Sequence, residues 1–361
     1  MDVWPRSTGN QNEPIENSVG NALQEVNNMT KVAINGLGRI GRAVLKILTD
    51  TPELELVAMN DLLPADNLAY LLKYDSVYGR YDKPIQVGSN HLSISEKELR
   101  LFSEKDPSKL PWRDLAVDIV FECTGVFRRK EQMAQHLKAG AKHVILSAPA
   151  KTGEIDTVVH GVNRPDGNPT LISCASCTTN CITPMVEVLG RRIGVQKATM
   201  TTIHAYTSSQ LIVDGPKNKW RRGRAGAANL VPTSTGAAKA TAKALPQYGG
   251  IFDGVAVRAP VAVGSIADIV AVTERQTDKE EINAIFREEA GSQRYQGILG
   301  VCEDPIVSSD IIKDPRASIV DLTMTQVVGG DLIKVMSWYD NEWGYSAQMV
   351  REAVRMARQS T

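Results

Sequence analysis

The chain has 361 residues, of which 42% are hydrophobic and 23% charged, as in ordinary globular proteins. Basic and acidic residues number 41 each, so the formal net charge is zero, which argues against nucleic acid or an anionic membrane as the main partner. The length predicts two domains, and no apolar run reaches the ~18 residues of a membrane helix. Three of the five cysteines crowd at 174, 177 and 181, unlike a secreted disulfide framework, so we expect a reducing compartment, the cytoplasm.

Residues 1–29 differ in composition from the rest of the chain. They are rich in asparagine, glutamine, glutamate and serine and lack an apolar stripe. They fit neither a secretory signal nor an arginine-rich transit peptide. We therefore expect a disordered tail, or an upstream start with the fold beginning near Met29.

A strand, a glycine turn and a helix follow one another from residue 31. The apolar run 31–34 precedes a Gly-x-Gly-x-x-Gly motif at Gly36, Gly38 and Gly41, and helical spacing continues to residue 48. The next strand, 54–59, leads to Asp61, 20 residues after Gly41. This context is typical of a dinucleotide-binding fingerprint rather than of a simple turn.

The motif predicts how a dinucleotide would bind. The first two glycines allow the backbone to approach the pyrophosphate, and Gly41 lets the helix pack on the sheet. The backbone N–H groups of Arg39 and Ile40 would hold the phosphates at the helix N-terminus. Asp61 would accept hydrogen bonds from the adenosine ribose and repel a 2′-phosphate. We therefore expect NAD, with NADP less favoured.

Alternating strands and helices continue to residue 176 and predict a doubly wound, mostly parallel α/β sheet of the Rossmann type. Longer strand-like runs follow, so we expect an α+β catalytic domain with a large mixed or antiparallel sheet over 177–341. A helix over 342–359 would complete the cofactor domain of residues 30–176.

Cys177 is the candidate nucleophile. It lies among small and hydroxyl residues just before a helix that we expect to begin near Asn180. A helix N-terminus activates a thiol, and its free N–H groups can hold an oxyanion. His204, on a later strand, is a candidate base, although spacing alone does not choose it among five histidines. A cysteine nucleophile combined with a dinucleotide suggests oxidation of an aldehyde through a thioester.

Four motifs resemble those of one family of phosphorylating enzymes. Residues 173–184, 204–207, 232–239 and 338–345 are similar to phosphorylating glyceraldehyde-3-phosphate dehydrogenase, in collinear order from about Lys31 to Ala357. The resemblance implies that Cys177 forms a thiohemiacetal, that His204 acts as base during hydride transfer, and that inorganic phosphate captures the thioester. It also implies a homotetramer, with residues 211–231 as an interface loop.

The resemblance implies two anion sites. Thr207 and Arg222 would hold the substrate phosphate. The attacking phosphate would be held by Ser176, Thr178, Thr235, Gly236 and Arg258. Arg258 lies in an apolar strand, where a cation needs a partner, so the sequence leaves open either an anionic ligand or an internal pair with Asp268.

The resemblance also implies cofactor contacts outside the glycine motif. Asn341 would bind the nicotinamide carboxamide, Thr124 and Ser147 would line the cleft, and Lys105 would lie near the adenine. No metal site is expected, because the three crowded cysteines lack an apparent fourth ligand. Erythrose-4-phosphate dehydrogenase and a binding protein that has kept the fold are the alternatives.

Overall fold

The computed structural model describes residues 29–359, so the predicted tail lies outside the described residues except for Met29. The strands are β1 (Thr30–Asn35), β2 (Leu54–Asn60), β3 (Tyr74–Asp75), β4 (Gly79–Arg80), β5 (Ile85–Val87), β6 (His91–Ile94), β7 (Lys97–Phe102), β8 (Ile119–Glu122), β9 (His143–Leu146), β10 (Asp156–Thr157), β11 (Leu171–Ser173), β12 (Val195–Ala205), β13 (Val231–Ser234), β14 (Phe252–Ala259), β15 (Ser265–Thr273), β16 (Leu299–Cys302), β17 (Ser318–Val328) and β18 (Leu332–Tyr339).

Seven α-helices accompany these strands within residues 29–359. They are α1 (Arg39–Leu48), α2 (Ala65–Lys73), α3 (Lys130–Lys138), α4 (Cys177–Arg192), α5 (Ala237–Ala244), α6 (Lys279–Ala290) and α7 (Trp343–Ala357). Within residues 29–359, none of the helices is long and apolar enough to cross a bilayer.

The first sheet has nine strands in the order β10-β11-β9-β8-β1-β2-β7-β6-β5. All neighbours from β10 to β7 are parallel, and the β5–β6–β7 edge is antiparallel. The strand order runs outward in both directions from β1. The carboxyl ends of the central strands therefore lie at a topological switch point, where doubly wound sheets bind ligands. The predicted Rossmann-type sheet is confirmed.

The second sheet has seven strands in the order β13-β14-β12-β15-β18-β17-β16. Antiparallel pairs dominate, while β12–β14 and β16–β17 are parallel, so the predicted mixed sheet is confirmed. Along β15 buried and partly exposed residues alternate, as expected for a sheet with one face on a core. Helices α4 and α6 contribute Met185, Leu189 and Phe286 to that core.

The last helix belongs to the first sheet's core. Tyr345, Met349, Ala353 and Met356 of α7 pack with apolar residues of β1, β2 and α1. The chain therefore returns to the cofactor domain after building the catalytic sheet. The helix predicted over 342–359 is one residue shorter at its start and two at its end.

Truncating a side chain on the buried face of α7 is expected to destabilise the protein. Met349 is fully buried, so Met349→Ala leaves a cavity and should lower the free energy of unfolding by about 2–5 kcal/mol. Met324→Ala is the matched control, because that side chain is 41% exposed and should cost less than about 0.5 kcal/mol. Urea unfolding of both variants measures the difference, and equal losses would contradict this packing.

Candidate active site

The predicted cofactor residues gather at one edge of the first sheet. Each follows the carboxyl end of a parallel strand, and such ends lie side by side at a switch point. The residues are Gly36 after β1, Asp61 after β2, Lys105 after β7, Thr124 after β8 and Ser147 after β9.

The glycine turn fits a dinucleotide. A Cβ on Gly36, whose φ is +93°, would lie 2.7 Å from the backbone nitrogen of Thr124, and one on Gly41 would lie 1.9 Å from the carbonyl oxygen of Gly36. By contrast, a Cβ on Gly38 would meet only open space, so its backbone is accessible to a ligand. These positions leave room for the close approach that a pyrophosphate needs.

Asp61 braces this turn. Its Oδ2 accepts a hydrogen bond of 2.6 Å from the Leu37 backbone N–H, and its Oδ1 accepts one of 3.0 Å from Leu63. The Arg39 side chain points elsewhere, to ion pairs with Asp75 and Glu342, so only its backbone is available for phosphate. A carboxylate held beside the glycine turn fits a free ribose hydroxyl better than a 2′-phosphate.

Asn341 lies on the catalytic side of the cofactor cleft. Its Oδ1 accepts hydrogen bonds from the Gly264 N–H (3.2 Å) and the Ser265 hydroxyl (2.9 Å). Within residues 29–359 its Nδ2 makes no hydrogen bond, which leaves a donor for a carboxamide oxygen. Lys105 is exposed, and the structure assigns it no contact with the other cofactor residues.

A buried polar network supports Thr124 from behind. The fully buried carboxylate of Glu122 accepts hydrogen bonds from the Asn35 side chain, from His136 Nε2, and from the backbone N–H and hydroxyl of Thr124. Trp112 Nε1 can only donate, so His136 Nδ1 accepts from it (3.0 Å) and the His136 proton sits on Nε2. The network thus fixes one histidine tautomer and orients the cofactor edge.

Cys177, the candidate nucleophile, follows a strained turn. Ala175 has φ +55°, a left-handed conformation that is uncommon for residues other than glycine. Asn180 Nδ2 donates to the carbonyl oxygens of Cys174 and Ser176, and the Tyr345 hydroxyl donates to that of Ala175. These bonds hold the turn in the conformation that begins α4.

Helix α4 begins at Cys177, so the predicted start near Asn180 is wrong by three residues. Ser176 is the N-cap, and its Oγ accepts a hydrogen bond of 3.1 Å from Thr179 N–H. The sequence did not single out this cap, because Ser173, Ser176, Thr178 and Thr179 lie within seven residues and each is a good N-cap. The earlier start places Cys177 itself at the positive end of the helix.

Cys177 and His204 form a pair. Sγ of Cys177 lies 3.3 Å from Nε2 of His204, although the two residues are 27 positions apart. His204 Nδ1 lies 2.7 Å from the Ala205 carbonyl oxygen, which can only accept, and 2.5 Å from Arg258 Nη1, which can only donate. In the tautomer with the proton on Nδ1, that proton is donated to Ala205 and the Nε2 lone pair faces the thiol. This is the geometry of a nucleophile with its general base.

Burial favours the neutral forms of both groups. Burial, and after it the repulsion between Arg258 and an imidazolium, lower the pKa of His204 to about 3. Burial also raises the pKa of the Cys177 thiol, whereas Arg258 and the Thr178 backbone oppose that rise. The resting pair is therefore thiol and neutral imidazole, with the proton able to move between them.

Arg258 is placed to hold an anion beside this pair. It stands opposite His204 in the β12–β14 register, and its Nη1 donates to the Ala205 carbonyl at 3.0 Å. Its buried Nε has no hydrogen-bond partner in the described part of the chain. Asp268 pairs with Lys334 instead (2.7 Å), so the alternative of an internal Arg258–Asp268 pair is wrong.

The other predicted anion ligands differ in availability. Arg222 donates to Thr233 Oγ1 (3.0 Å), next to Thr235 and Gly236 at the start of α5. The Thr207 hydroxyl contacts Ser209 (2.8 Å). The Thr178 hydroxyl is buried against the Tyr339 hydroxyl, and that of Ser176 caps α4, so these two would offer a phosphate mainly backbone N–H groups.

Sequence reasoning missed several supporting residues. Tyr339 contacts the hydroxyls of Thr178 and Thr202 and turns its ring edge-on to His204. Its place in the 338–345 motif was the available signal. Nothing in the sequence spacing indicated that Glu122, Asn35 and His136 meet. Among residues 29–359, no three histidine, cysteine or acidic side chains gather in a way that could hold a metal ion.

A cysteine–histidine pair beside a dinucleotide cleft defines a cysteine-dependent dehydrogenase. Family models agree: the glyceraldehyde 3-phosphate dehydrogenase NAD-binding domain matches residues 30–130, and the C-terminal domain of that enzyme matches 176–341. The chain belongs to the glyceraldehyde-3-phosphate dehydrogenase family, whose members are NAD-dependent oxidoreductases.

Curated relatives of this chain are named glyceraldehyde-3-phosphate dehydrogenase. The chain is 50% identical over 326 residues to the glyceraldehyde-3-phosphate dehydrogenase of Thermotoga maritima, covering 89% of this chain and 97% of that one. It is 47% identical over 330 residues to that of Clostridium pasteurianum (90% and 97%) and 46% identical over 330 residues to that of Geobacillus stearothermophilus (91% and 98%). These matches disfavour the erythrose-4-phosphate alternative.

Replacing Arg258 is expected to make the thiol harder to ionise. Arg258→Leu removes the cation that stabilises the thiolate, so the pKa of Cys177 rises. The midpoint of the pH profile for alkylation by iodoacetamide should move up by about one pH unit. Arg224→Leu, at an exposed arginine paired with Asp214, should leave the midpoint unchanged. An unchanged or lower midpoint in Arg258→Leu would contradict the assigned electrostatics.

Breaking the buried network is expected to weaken NAD binding. His136→Phe leaves Trp112 Nε1 unpaired and removes a donor from Glu122, at a cost of about 1–3 kcal/mol for each orphaned group. We expect the Kd for NAD to rise about tenfold. His136→Gln, which keeps a donor and an acceptor, should restore much of the affinity, and the half-buried His143→Phe is the control. Lost stability with an unchanged Kd would show that the network does not support the cofactor site.

Proposed function

We propose that this enzyme oxidises and phosphorylates D-glyceraldehyde 3-phosphate to 1,3-bisphosphoglycerate, with NAD as hydride acceptor. The observation that carries the proposal is the Cys177–His204 contact of 3.3 Å at the start of α4. The open Nε of Arg258 beside it supports a phosphate as the second reactant.

The first step uses the cysteine and the histidine. His204 Nε2 takes the thiol proton, and Sγ of Cys177 attacks the aldehyde carbon to form a C–S bond. The carbonyl oxygen becomes an oxyanion and is stabilised by backbone N–H groups at the α4 N-terminus. Protonation of that oxygen from the imidazolium gives the thiohemiacetal and restores neutral His204. Because the charges appear only during the step, two groups that are neutral at rest suit it.

The second step converts the thiohemiacetal into a thioester on Cys177. His204 removes the hydroxyl proton as the C–H bond breaks. When bound, NAD supplies the acceptor for that hydride. Asn341 Nδ2 and Thr124 would orient the nicotinamide, Asp61 would hold the ribose, and the N–H groups after Gly36 would hold the pyrophosphate. Hydride transfer requires the nicotinamide to lie beside the carbon bound to Cys177. Asn341 suits this position because it is hydrogen-bonded to Ser265 of the second sheet.

The third step needs inorganic phosphate. A phosphate oxygen attacks the thioester carbon, the C–S bond breaks, and the leaving Cys177 thiolate takes the proton that His204 removed in the second step. Arg258 Nε and the N-terminus of α5 at Gly236 are suited to this phosphate, and Arg222 with Thr207 to the substrate phosphate. Arginine donors suit both anions, since their charge does not depend on pH in the working range.

We also propose a cytoplasmic homotetramer. Residues 211–231 expose four large apolar side chains, Ile212 (88%), Val213 (73%), Trp220 (86%) and Leu230 (68%). Exposed apolar clusters of this kind mark protein interfaces. A second copy of the chain is the expected cover. Sedimentation of the purified protein measures the assembly, and a monomer at micromolar concentration would contradict it.

The decisive experiment measures NADH formation with D-glyceraldehyde 3-phosphate, with and without inorganic phosphate. With phosphate we expect continuous turnover. Without it we expect a burst of about one NADH per Cys177, followed by a stall, because the thioester waits for its acceptor. Cys177→Ser should abolish both phases. Steady turnover without phosphate, or no oxidation of this aldehyde while NAD still binds, would refute the proposed function.

A further inference from the structure

A cavity of about 560 Å³, separate from the cofactor cleft, lies between the C-terminal parts of α1 and α7. None of the residues placed at the cofactor or catalytic sites lines it. Five basic side chains surround it, and we call it the basic groove: His160, Arg164, Arg351, Arg355 and Arg358. In a chain with zero net charge, this concentration of arginine is distinctive.

Helix geometry aligns three of these arginines. Arg351 and Arg355 of α7 and its C-cap residue Arg358 follow one another at spacings of four and three in helical backbone, so they share one face. Cations are favoured near a helix C-terminus, but like charges one turn apart repel each other. An anion in the groove would relieve this repulsion.

The acidic residues nearby are already engaged. Glu352, which is 1% exposed, accepts from His160 Nδ1 (2.8 Å) and from Arg355 (2.6 Å). Glu53 lies 3.5 Å from Arg358. Arg164 and Arg351, both exposed, have neither an ion pair nor a side-chain hydrogen bond within residues 29–359. Four guanidinium groups thus face two carboxylates, which leaves the groove positive.

The floor of the groove is apolar. Ile47, Val350 and Val354 line it beneath the arginines, together with Pro315. A small inorganic anion would use only the arginines and leave this floor wet. A ligand that also carries a flat, weakly polar ring would cover the floor, and 560 Å³ is within the usual size of nucleotide-scale pockets.

We propose that the basic groove binds a nucleoside polyphosphate at a site separate from the dinucleotide cleft. Arg164 and Arg351 would donate paired hydrogen bonds to the phosphates, as the planar guanidinium does well. The base would lie on Ile47, Val350 and Val354. Arg355, fixed by Glu352, would add charge without having to give up its partner.

The test uses enzyme saturated with NAD, so that the cofactor cleft is occupied, and titrates it with ATP by isothermal calorimetry. We expect saturable binding of one ATP per subunit. Arg351→Ala and Arg164→Ala should each weaken it about tenfold, the effect of losing a charge-assisted hydrogen bond, while NAD affinity and turnover stay unchanged. Arg287→Ala, at an exposed arginine of α6, is the matched control and should bind ATP normally.

Inorganic triphosphate separates the two parts of the proposal. It should bind through the arginines but about tenfold more weakly than ATP, because it leaves the apolar floor uncovered. Equal affinities for triphosphate and ATP would contradict the proposed contact between the base and the apolar floor. Absence of ATP binding to the NAD-saturated enzyme, or binding that the Arg164→Ala/Arg351→Ala double variant leaves intact, would overturn the site itself.

Discussion

The turn before Cys177 is the constraint on which the rest of the site depends. The left-handed Ala175 and the Ser176 cap start α4 at the cysteine, and Asn180 and Tyr345 hold the turn from two sides. Cys177 packs against both hydrophobic cores, so the reacting sulfur lies where the cofactor sheet and the catalytic sheet meet. Backbone strain at this turn, balanced by buried hydrogen bonds, therefore sets the position of the nucleophile relative to everything else.

Charge in the site is arranged to appear only when chemistry requires it. A partly buried thiol and a buried imidazole both resist ionisation, yet they lie close enough for one proton transfer. Arg258 eases ionisation of the sulfur and opposes protonation of the histidine, and its open Nε awaits an anion. An incoming phosphate would therefore change the balance between the two groups as well as occupy its own site.

Local signals in the sequence predicted the parts of the fold that depend on local pattern. The Gly36–Gly41 spacing, Asp61 and the alternating strands indicated the first sheet, because the backbone at a switch point has strict steric needs. The start of α4 could not be chosen among the serines and threonines that are spread over residues 173–179. The meeting of Glu122 with His136, and of Arg222 with β13, depends on long-range packing that spacing does not encode.

The return of α7 to the first core has a consequence for synthesis on the ribosome. Met349 and Met356 cover apolar residues of the first sheet, and Glu342 bonds Arg39 across 303 positions of sequence. The amino-terminal sheet thus emerges long before the helix that covers it, and an intervening domain must be made first. The apolar face of the amino-terminal sheet stays exposed to water during that interval. The nascent chain is therefore a substrate for chaperones until α7 has been translated.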